Sequence, residues 1–171
     1  PAVSDPGEDL VRLCHTLGLR VEVIPGPSAF VAALALSGMP SGRFTFEGFL
    51  SVNKVSRREH IASLADETRT MIFYEAPHKL PATLRDLAAA FGERNIAIVR
   101  ELTKTHEEVI RTTLPEAARQ FETGGLKGEL VLIIEGAPQK TEVVVPLDEA
   151  VALAREKIAE GVSLNDAAKA S

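Results

Sequence analysis

Residues 21–36 read VEVIPGPSAFVAALAL, and this stretch decides the fold. The β-branched run Val21–Ile24 predicts a strand, the Pro-Gly-Pro turn ends it, and Ser28 stands at the N-cap position of a small apolar helix that runs to Ser37. Strand, tight turn and helix form a unit that builds ligand sites in α/β proteins, because free amides at the helix start face the ligand. An ordinary connection between a strand and a helix would use the same residues. The stretch by itself therefore does not show whether it binds a ligand.

The length, composition and net charge of the chain restrict the kind of protein that it can be. The chain has 171 residues, 45% of them hydrophobic and 25% charged, which is enough to bury a globular core. No apolar run approaches the roughly 20 residues of a membrane helix, so we expect a cytoplasmic protein without membrane contact. The net charge of −5 means that any contact with RNA must come from a local basic patch.

Cysteine and histidine usage predicts neither disulfides nor a metal site. Cys14 is the only cysteine, and we predict a buried structural thiol on the apolar face of a helix over residues 8–17, together with Leu10, Leu13 and Leu17. The four histidines are scattered and lack the spacing of metal ligands.

Alternating strand and helix patterns predict an α/β or α+β chain with a mixed sheet of about five strands. Strands are predicted over residues 43–49, 70–74, 96–100, 107–112 and 128–136, and helices over 56–64, 77–91, 114–123 and 147–160. The helix at 56–64 is opened by a capping box, Ser56 to Glu59. Glycine- and proline-rich linkers divide the chain into residues 1–42, 43–138 and 139–171. In the last segment, residues 163–169 start either a helix-turn-helix or a plain helical hairpin.

Six strings in a fixed order carry a family resemblance. They are Ser4-Asp5-Pro6-Gly7, Pro25-Gly26-Pro27-Ser28-Ala29, Phe46-Glu47-Gly48-Phe49, Phe73-Tyr74-Glu75-Ala76-Pro77-His78-Lys79, Arg100-Glu101-Leu102-Thr103-Lys104 with His106-Glu107-Glu108, and Gly128-Glu129. From Pro1 to about Gly136 the chain closely resembles the ribosomal RNA small subunit methyltransferase I family of the tetrapyrrole methylase superfamily.

The resemblance implies a tetrapyrrole-methylase-like fold of two α/β domains with S-adenosylmethionine in the cleft between them. It implies transfer of a methyl group to the ribose 2′-hydroxyl of a cytidine in small-subunit (16S) ribosomal RNA, by a homodimer. Pro1 would match the proline of the family's Gly-Thr-Pro loop, so we expect a fragment that lacks most of the N-terminal domain. Residues 1–42 would be its remnant, residues 43–138 the C-terminal methylase domain and 139–171 a linker with a truncated helical tail. We expect the parent to be an enzyme and this fragment alone to be inactive.

Carried over residue by residue, the resemblance implies a donor site at three turns. The positions are Ser28, Ala29, Tyr74, Glu75, Leu102 and Thr103. Each turn is predicted to follow a strand, where backbone groups are free to bind an adenosine. Tyr74 would equally suit the rim of the core, and Leu102 the core itself.

Methyl transfer to a ribose hydroxyl needs a base to remove its proton. Glu75, His78 and Glu101, together with Glu107, are the titratable groups near predicted strand ends, and the resemblance does not decide among them. His78 would equally serve to cap the helix that follows Pro77, or lie on a rim that faces RNA.

Basic side chains after residue 49 predict an RNA surface. Lys54, Arg57, Arg58 and Lys79 are the candidates, with His60 beside them, because such groups bind phosphates without reading sequence. A solvated helix face is the alternative explanation. Two other functions stay open: methylation of a small tetrapyrrole, which would not need the basic segment, and a non-catalytic binding module.

Overall fold

The computed structural model describes residues 1–139, 147–159 and 163. The chain divides into two compact units, Pro1–Pro138 and Gln139–Ser171. The elements in chain order are α1 (Glu8–Thr16), α2 (Ala29–Ser37), β1 (Phe44–Phe49), α3 (Lys54–Ser63), β2 (Thr70–Glu75), α4 (Leu80–Phe91), β3 (Asn95–Arg100), β4 (Glu108–Thr113), α5 (Leu114–Gln120), β5 (Leu130–Ile134) and α6 (Leu147–Ala159). The domain limits stay predictions, and the predicted helix over 163–169 lies outside the described residues apart from Ser163.

The five strands form one mixed sheet in the order β1-β2-β5-β3-β4, as the alternating patterns predicted. β1 is parallel to β2, whereas β5 is antiparallel to both of its neighbours and β4 is antiparallel to β3. All five residues of β5 are buried, because its continuous apolar run occupies the centre of the sheet and faces helices on both sides.

Two apolar cores hold the sheet between helices. On one face Met71 and Phe73 of β2 belong to the core that α3, α4 and α5 complete. On the other face Ile72 belongs to a smaller core with Ala33 and Leu34 of α2. Successive residues of a strand point to opposite faces, so β2 contributes to both cores. No helix within the described residues is long and apolar enough to cross a membrane.

The predicted strand over Val21–Ile24 is wrong. Val23 and Ile24 are 86% and 92% exposed, and residues 21–24 have no regular secondary structure. A β-branched run favours extended backbone, but a strand also needs a neighbour to pair with. None of the described strands pairs with this run.

The helix at residues 8–17 forms, but the prediction that it buries an apolar face is wrong. Against the parts of the chain that the structure describes, α1 buries none of its side chains: Leu10, Leu13 and Leu17 are exposed, and Cys14 is half-buried rather than buried. Periodicity shows which face is apolar, but it does not show whether a neighbour covers that face.

The capping box predicted at Ser56 is also wrong. α3 starts earlier, because the Asn53 side-chain oxygen accepts hydrogen bonds from the amides of Val55 (2.9 Å) and Ser56 (3.1 Å). One asparagine therefore satisfies two free amides of the helix start, which is the function of an N-cap. Ser56 lies within the first turn of the helix instead of before it.

Candidate functional site

Three strand ends meet at one edge of the sheet. β2 and β3 both run antiparallel to β5 and therefore point the same way, and β1 is parallel to β2. Their carboxyl ends carry Phe49, Tyr74–Glu75 and, just after β3, Leu102–Thr103. The sheet topology thus brings two of the three predicted donor-binding turns to the same edge. We call this the strand-end edge.

The third predicted turn reaches the same edge through aromatic packing. The Phe30 ring at the start of α2 stacks on Phe46 with centroids 4.5 Å apart, and Phe46 meets the edge of Tyr74 at 5.0 Å. Burial raises the pKa of the Tyr74 hydroxyl, and the backbone of Phe30, which lies beside that hydroxyl, acts on this pKa in the opposite direction. Ser28 and Ala29, which directly precede Phe30, therefore lie beside Tyr74. Leu102 packs on the same core.

Ser28 takes the N-cap position of α2 in an extended conformation. Its carbonyl accepts the first helical bond from Ala32 at 3.0 Å. Within residues 1–139, however, its side chain makes no capping hydrogen bond. The hydroxyl is thus left for another partner, and the side chain of Ala29 is exposed beside it.

Glu75 lies on the opposite face of the sheet from Tyr74. Its carboxylate is buried and accepts hydrogen bonds from its neighbour Ala76 (2.8 Å) and from the hydroxyl of Thr83 on α4. The sequence prediction joined Tyr74 and Glu75 in one site. We call the face of the sheet that carries Tyr74 and α2 the donor face. Strand alternation leaves only the backbone of Glu75 on this face.

The turn after β3 holds two non-glycine residues in the left-handed region, Glu101 (φ 50°) and Thr103 (φ 64°). The Glu101 carboxylate accepts hydrogen bonds from the Glu129 amide (2.9 Å) and from Lys104 Nζ (3.0 Å). These contacts, the backbone one first, lower the pKa of Glu101. Gly128 has a φ of 88°, which favours glycine, and a Cβ there would also collide with this carboxylate. Backbone strain of this kind is concentrated at functional sites.

A groove of about 760 Å³ runs between α3 and α4 on the other face of the sheet. All four predicted RNA-binding residues line it, together with the candidate base His78. The lining residues are Ser51, Val52, Lys54, Arg57, Arg58, Ile61, Ala62, His78, Lys79, Ala82, Asp86, Ala89 and Ala90. Residues separated by up to 25 positions thus form one basic surface, which we call the α3–α4 groove.

Arg57 links this groove to the end of β2. Only 14% of its side chain is exposed; Nε donates to Asp86 at 2.7 Å and Nη2 donates to Thr83 at 2.9 Å. The Thr83 hydroxyl in turn donates to Glu75. His60 does not join the groove, because its Nε2 lies 2.8 Å from Glu47 of β1. Arg57 is therefore a structural residue as well as a charged one.

Sequence reasoning missed the aromatic residues around Tyr74 and the polar partners of Arg57. Phe46 and Phe49 contact the Tyr74 ring, and Phe30 stacks on Phe46. The signal was present, since these three phenylalanines lie in the strings quoted above or directly after them. The sequence did not indicate that Thr83 and Asp86 are partners of Arg57, because helix periodicity does not show which polar residue faces a neighbouring helix. No group of three acidic, histidine or cysteine side chains in the described residues is placed to hold a metal ion.

Residues 1–118 match the family model of the tetrapyrrole (corrin/porphyrin) methylases. The curated relatives include the ribosomal RNA small subunit methyltransferase I of Xylella fastidiosa, 50% identical over 140 residues, which are 80% of this chain and 51% of that protein. The Mycobacterium tuberculosis (strain H37Rv) protein of the same name is 42% identical over 168 residues, 98% of this chain and 57% of that one. The chain thus spans little more than half the length of these relatives.

Solved structures share the fold. A cobalt precorrin-4 methyltransferase superposes with a TM-score of 0.59 at 17% identity, over 79% of this chain and 60% of that one. A uroporphyrin-III C-methyltransferase from Thermus thermophilus, solved with S-adenosyl homocysteine, gives 0.53 at 17% identity over 78% and 61%. With the family model matching most of its length, this chain belongs to the tetrapyrrole (corrin/porphyrin) methylases.

Proposed function

We propose that this chain is part of an S-adenosylmethionine-dependent methyltransferase that methylates the ribose 2′-hydroxyl of a cytidine in small-subunit (16S) ribosomal RNA. The observation that carries the proposal is the α3–α4 groove, where Lys54, Arg57, Arg58 and Lys79 come together although the net charge of the chain is −5. A concentrated basic surface on an acidic protein is the electrostatic footprint expected for RNA phosphates. The names of the curated relatives support the same substrate.

The strand-end edge suits the adenosyl part of the donor. Ser28 and Ala29 are small, Tyr74 offers a half-buried aromatic surface, and the turn at Leu102–Thr103 offers left-handed backbone. When bound, S-adenosylmethionine supplies a methyl group on a positively charged sulfonium. The neighbour solved with S-adenosyl homocysteine supports this donor. Ser28, Ala29, Tyr74 and Leu102–Thr103 would hold it, with Glu75 contributing backbone only.

Of the candidate bases, we propose His78. The carboxylate of Glu75 is buried and already accepts from Ala76 and Thr83, and the lowered pKa of Glu101 makes it a weaker base. His78 is exposed and lines the α3–α4 groove. It is thus the candidate that an RNA in the groove would meet. The resemblance further supports a homodimer, and a ribosomal substrate supports a cytoplasmic location.

Methylation of a small tetrapyrrole is the second candidate, and the family name and the fold neighbours favour it. Such a substrate would not need the α3–α4 groove. The two candidates separate in one assay: the full-length protein is given radiolabelled S-adenosylmethionine with either unmethylated small ribosomal subunits or a porphyrinogen. We expect label in the RNA and none in the porphyrinogen; the reverse result would overturn the proposal.

Charge reversal tests the contribution of the groove. Lys54→Glu with Arg58→Glu should abolish labelling of the RNA, whereas Arg85→Glu with Lys127→Glu, two exposed positions outside the groove, should leave it unchanged. Calorimetry with S-adenosylmethionine completes the design, because a mere binding module would show no donor binding. Donor binding should be the same in both double variants.

A further inference from the structure

Phe49 is a large aromatic residue exposed at the end of a sheet strand. Its side chain is 56% exposed, although its neighbours Gly48 and Leu50 are buried. An irregularity in β1 explains this position. The register of β1 against β2 shifts between Phe46 and Gly48, so that Phe46 pairs with Ile72 but Phe49 pairs with Tyr74.

This bulge reverses the face on which Phe49 lies. Without it, strict alternation would place Phe49 on the face opposite Phe46. With one extra residue inserted, Phe46, Phe49 and Tyr74 share a face, and Gly48 takes a left-handed φ of 64° at the bulge. Bulges next to active sites commonly re-aim a side chain in this way. Here the result is an aromatic ring on the donor face of the strand-end edge.

The Phe49 ring packs against other aromatic rings on one of its sides. Its centroid lies 5.5 Å from that of Tyr74, tilted by 57°, and Tyr74 rests against Phe46, which stacks on Phe30. Phe30, Phe46 and Tyr74 are partly buried against the core that contains Ile72, and this packing fixes the position of Tyr74. One side of the Phe49 ring stays exposed. A rigid aromatic surface with one free side is suited to stacking.

Phe49 also adjoins the α3–α4 groove. Ser51 and Val52, two and three residues further along the chain, line that groove. Three residues span at most about 10 Å, so a nucleic acid whose phosphates lie in the groove can bring a base onto the ring without leaving the protein surface. The ring thus contacts the half-buried Tyr74 on one face of the sheet and is only two residues along the chain from the lining of the basic groove on the other face.

We propose that Phe49 is the platform on which an unpaired nucleobase of the RNA substrate stacks. The inference rests on the proposed function, because its ligand is the RNA that the groove would bind. Base–aromatic stacking is the usual way in which proteins hold bases that are out of a helix. The basic groove supplies the affinity for phosphates, and Phe49 supplies the contact that places one nucleotide beside the donor face.

The test uses the full-length protein and a short single-stranded RNA of small-subunit sequence carrying the fluorescent cytidine analogue pyrrolocytidine. Phe49→Leu keeps the apolar surface but removes the aromatic ring, Phe49→Tyr keeps the ring, and Phe44→Leu is the matched control, since Phe44 is also partly exposed on β1 but lies at its other end. Stacking quenches the analogue. We expect quenching with the unchanged protein, Phe49→Tyr and Phe44→Leu, and its loss in Phe49→Leu with about tenfold weaker RNA binding.

The other results are distinguishable. If no RNA binds to the unchanged protein, the proposed function fails. If RNA binds and Phe49→Leu quenches normally, the function stands and the platform is overturned. The platform is equally overturned if Phe49→Leu weakens binding of S-adenosylmethionine instead, or if it changes the sedimentation of the protein, because the ring would then serve the donor or a second copy of the chain.

Discussion

At the scale of single residues, Arg57 and Arg58 show why a charged pair in sequence is not a pair in function. Arg57 is largely buried and donates to Asp86 and to the buried hydroxyl of Thr83. Arg58, next to it, is exposed in the α3–α4 groove. Any charge reversal at Arg57 would disturb the contact between α3 and α4 as well as the basic surface. Arg58 and Lys54 are therefore the proper positions at which to test RNA binding.

We expect Arg57→Ala to lower the free energy of unfolding by about 1–3 kcal/mol, because it breaks charge-assisted hydrogen bonds to the exposed Asp86 and to the buried Thr83. Arg58→Ala should change it by no more than about 0.5 kcal/mol. Urea unfolding of both variants measures the difference. Equal stability of the two would mean that the contact between α3 and α4 contributes nothing.

The lowered pKa of Glu67 predicts how the free energy of unfolding changes at acid pH. Three hydrogen bonds from Arg69, those from its side-chain Nε and Nη2 first and the one from its backbone amide second, lower the pKa of this carboxylate from 4.5 to about 2. Because the pKa is lower in the folded state, Glu67 stabilises the fold fully above about pH 4.5, and this contribution is lost as the pH falls towards 2.

We therefore expect Glu67→Gln to destabilise the protein at neutral pH and to make stability less steep between pH 4.5 and 2. Unfolding measured in urea at several pH values checks this, with Glu122→Gln, an exposed carboxylate on the same unit, as the control. Parallel pH profiles for the unchanged protein and Glu67→Gln would contradict the prediction.

At the scale of elements, the sequence predicted best where one local signal was enough. The predicted strand over 128–136 contains β5, which is buried along its whole length, and the predicted helix over 77–91 contains α4, whose Leu80, Leu84 and Leu87 are buried. The strand at residues 21–24 failed because pairing is not a local property. The bulge in β1 could not be predicted either, since a single glycine does not show where the register shifts.

α2 carries a prediction at each of its ends. At the N-terminus, Ser28 makes no capping bond within residues 1–139, so Ser28→Val should not lose the ~1 kcal/mol that an N-cap usually contributes. At the C-terminus, the buried Ser37 hydroxyl donates to the Leu34 carbonyl at 2.7 Å and accepts from the Met39 amide at 3.0 Å. Ser37→Ala should cost about 1–3 kcal/mol.

The two serines should therefore separate binding from stability. Ser28→Val should weaken binding of S-adenosylmethionine in the full-length protein, because it places a branched side chain at a close-approach turn, while unfolding changes by no more than about 0.5 kcal/mol. Ser37→Ala should do the opposite. Calorimetry and thermal unfolding of both variants decide, and unchanged donor affinity in Ser28→Val would remove Ser28 from the site.

At the scale of the whole molecule, the candidate site is assembled from segments that are distant in sequence. Ser28, Tyr74 and Leu102 come to the same edge of the sheet because α2 packs on the face that carries Tyr74 and Leu102, where β2 and β3 end. The family resemblance in the sequence predicted most of these positions. Only the three-dimensional structure shows that Tyr74 and Glu75 lie on opposite faces of the sheet. The same topology gathers basic residues of α3 and of the turn before α4 into one groove, which linear spacing indicates only in part.

The contrast between a net charge of −5 and a basic groove gives a prediction for the salt dependence of RNA binding. Each phosphate contact releases condensed counterions and contributes about 0.7 to the slope of log K against log salt for single-stranded RNA. Lys54→Glu with Arg58→Glu should weaken binding by the full-length protein and lower this slope by about 1.4, twice the single contribution. Arg85→Glu with Lys127→Glu changes the net charge by the same amount outside the groove and should leave the slope unchanged. If both double variants shift it equally, long-range charge rather than groove contacts governs RNA binding, and the substrate assignment would then rest on the relatives alone.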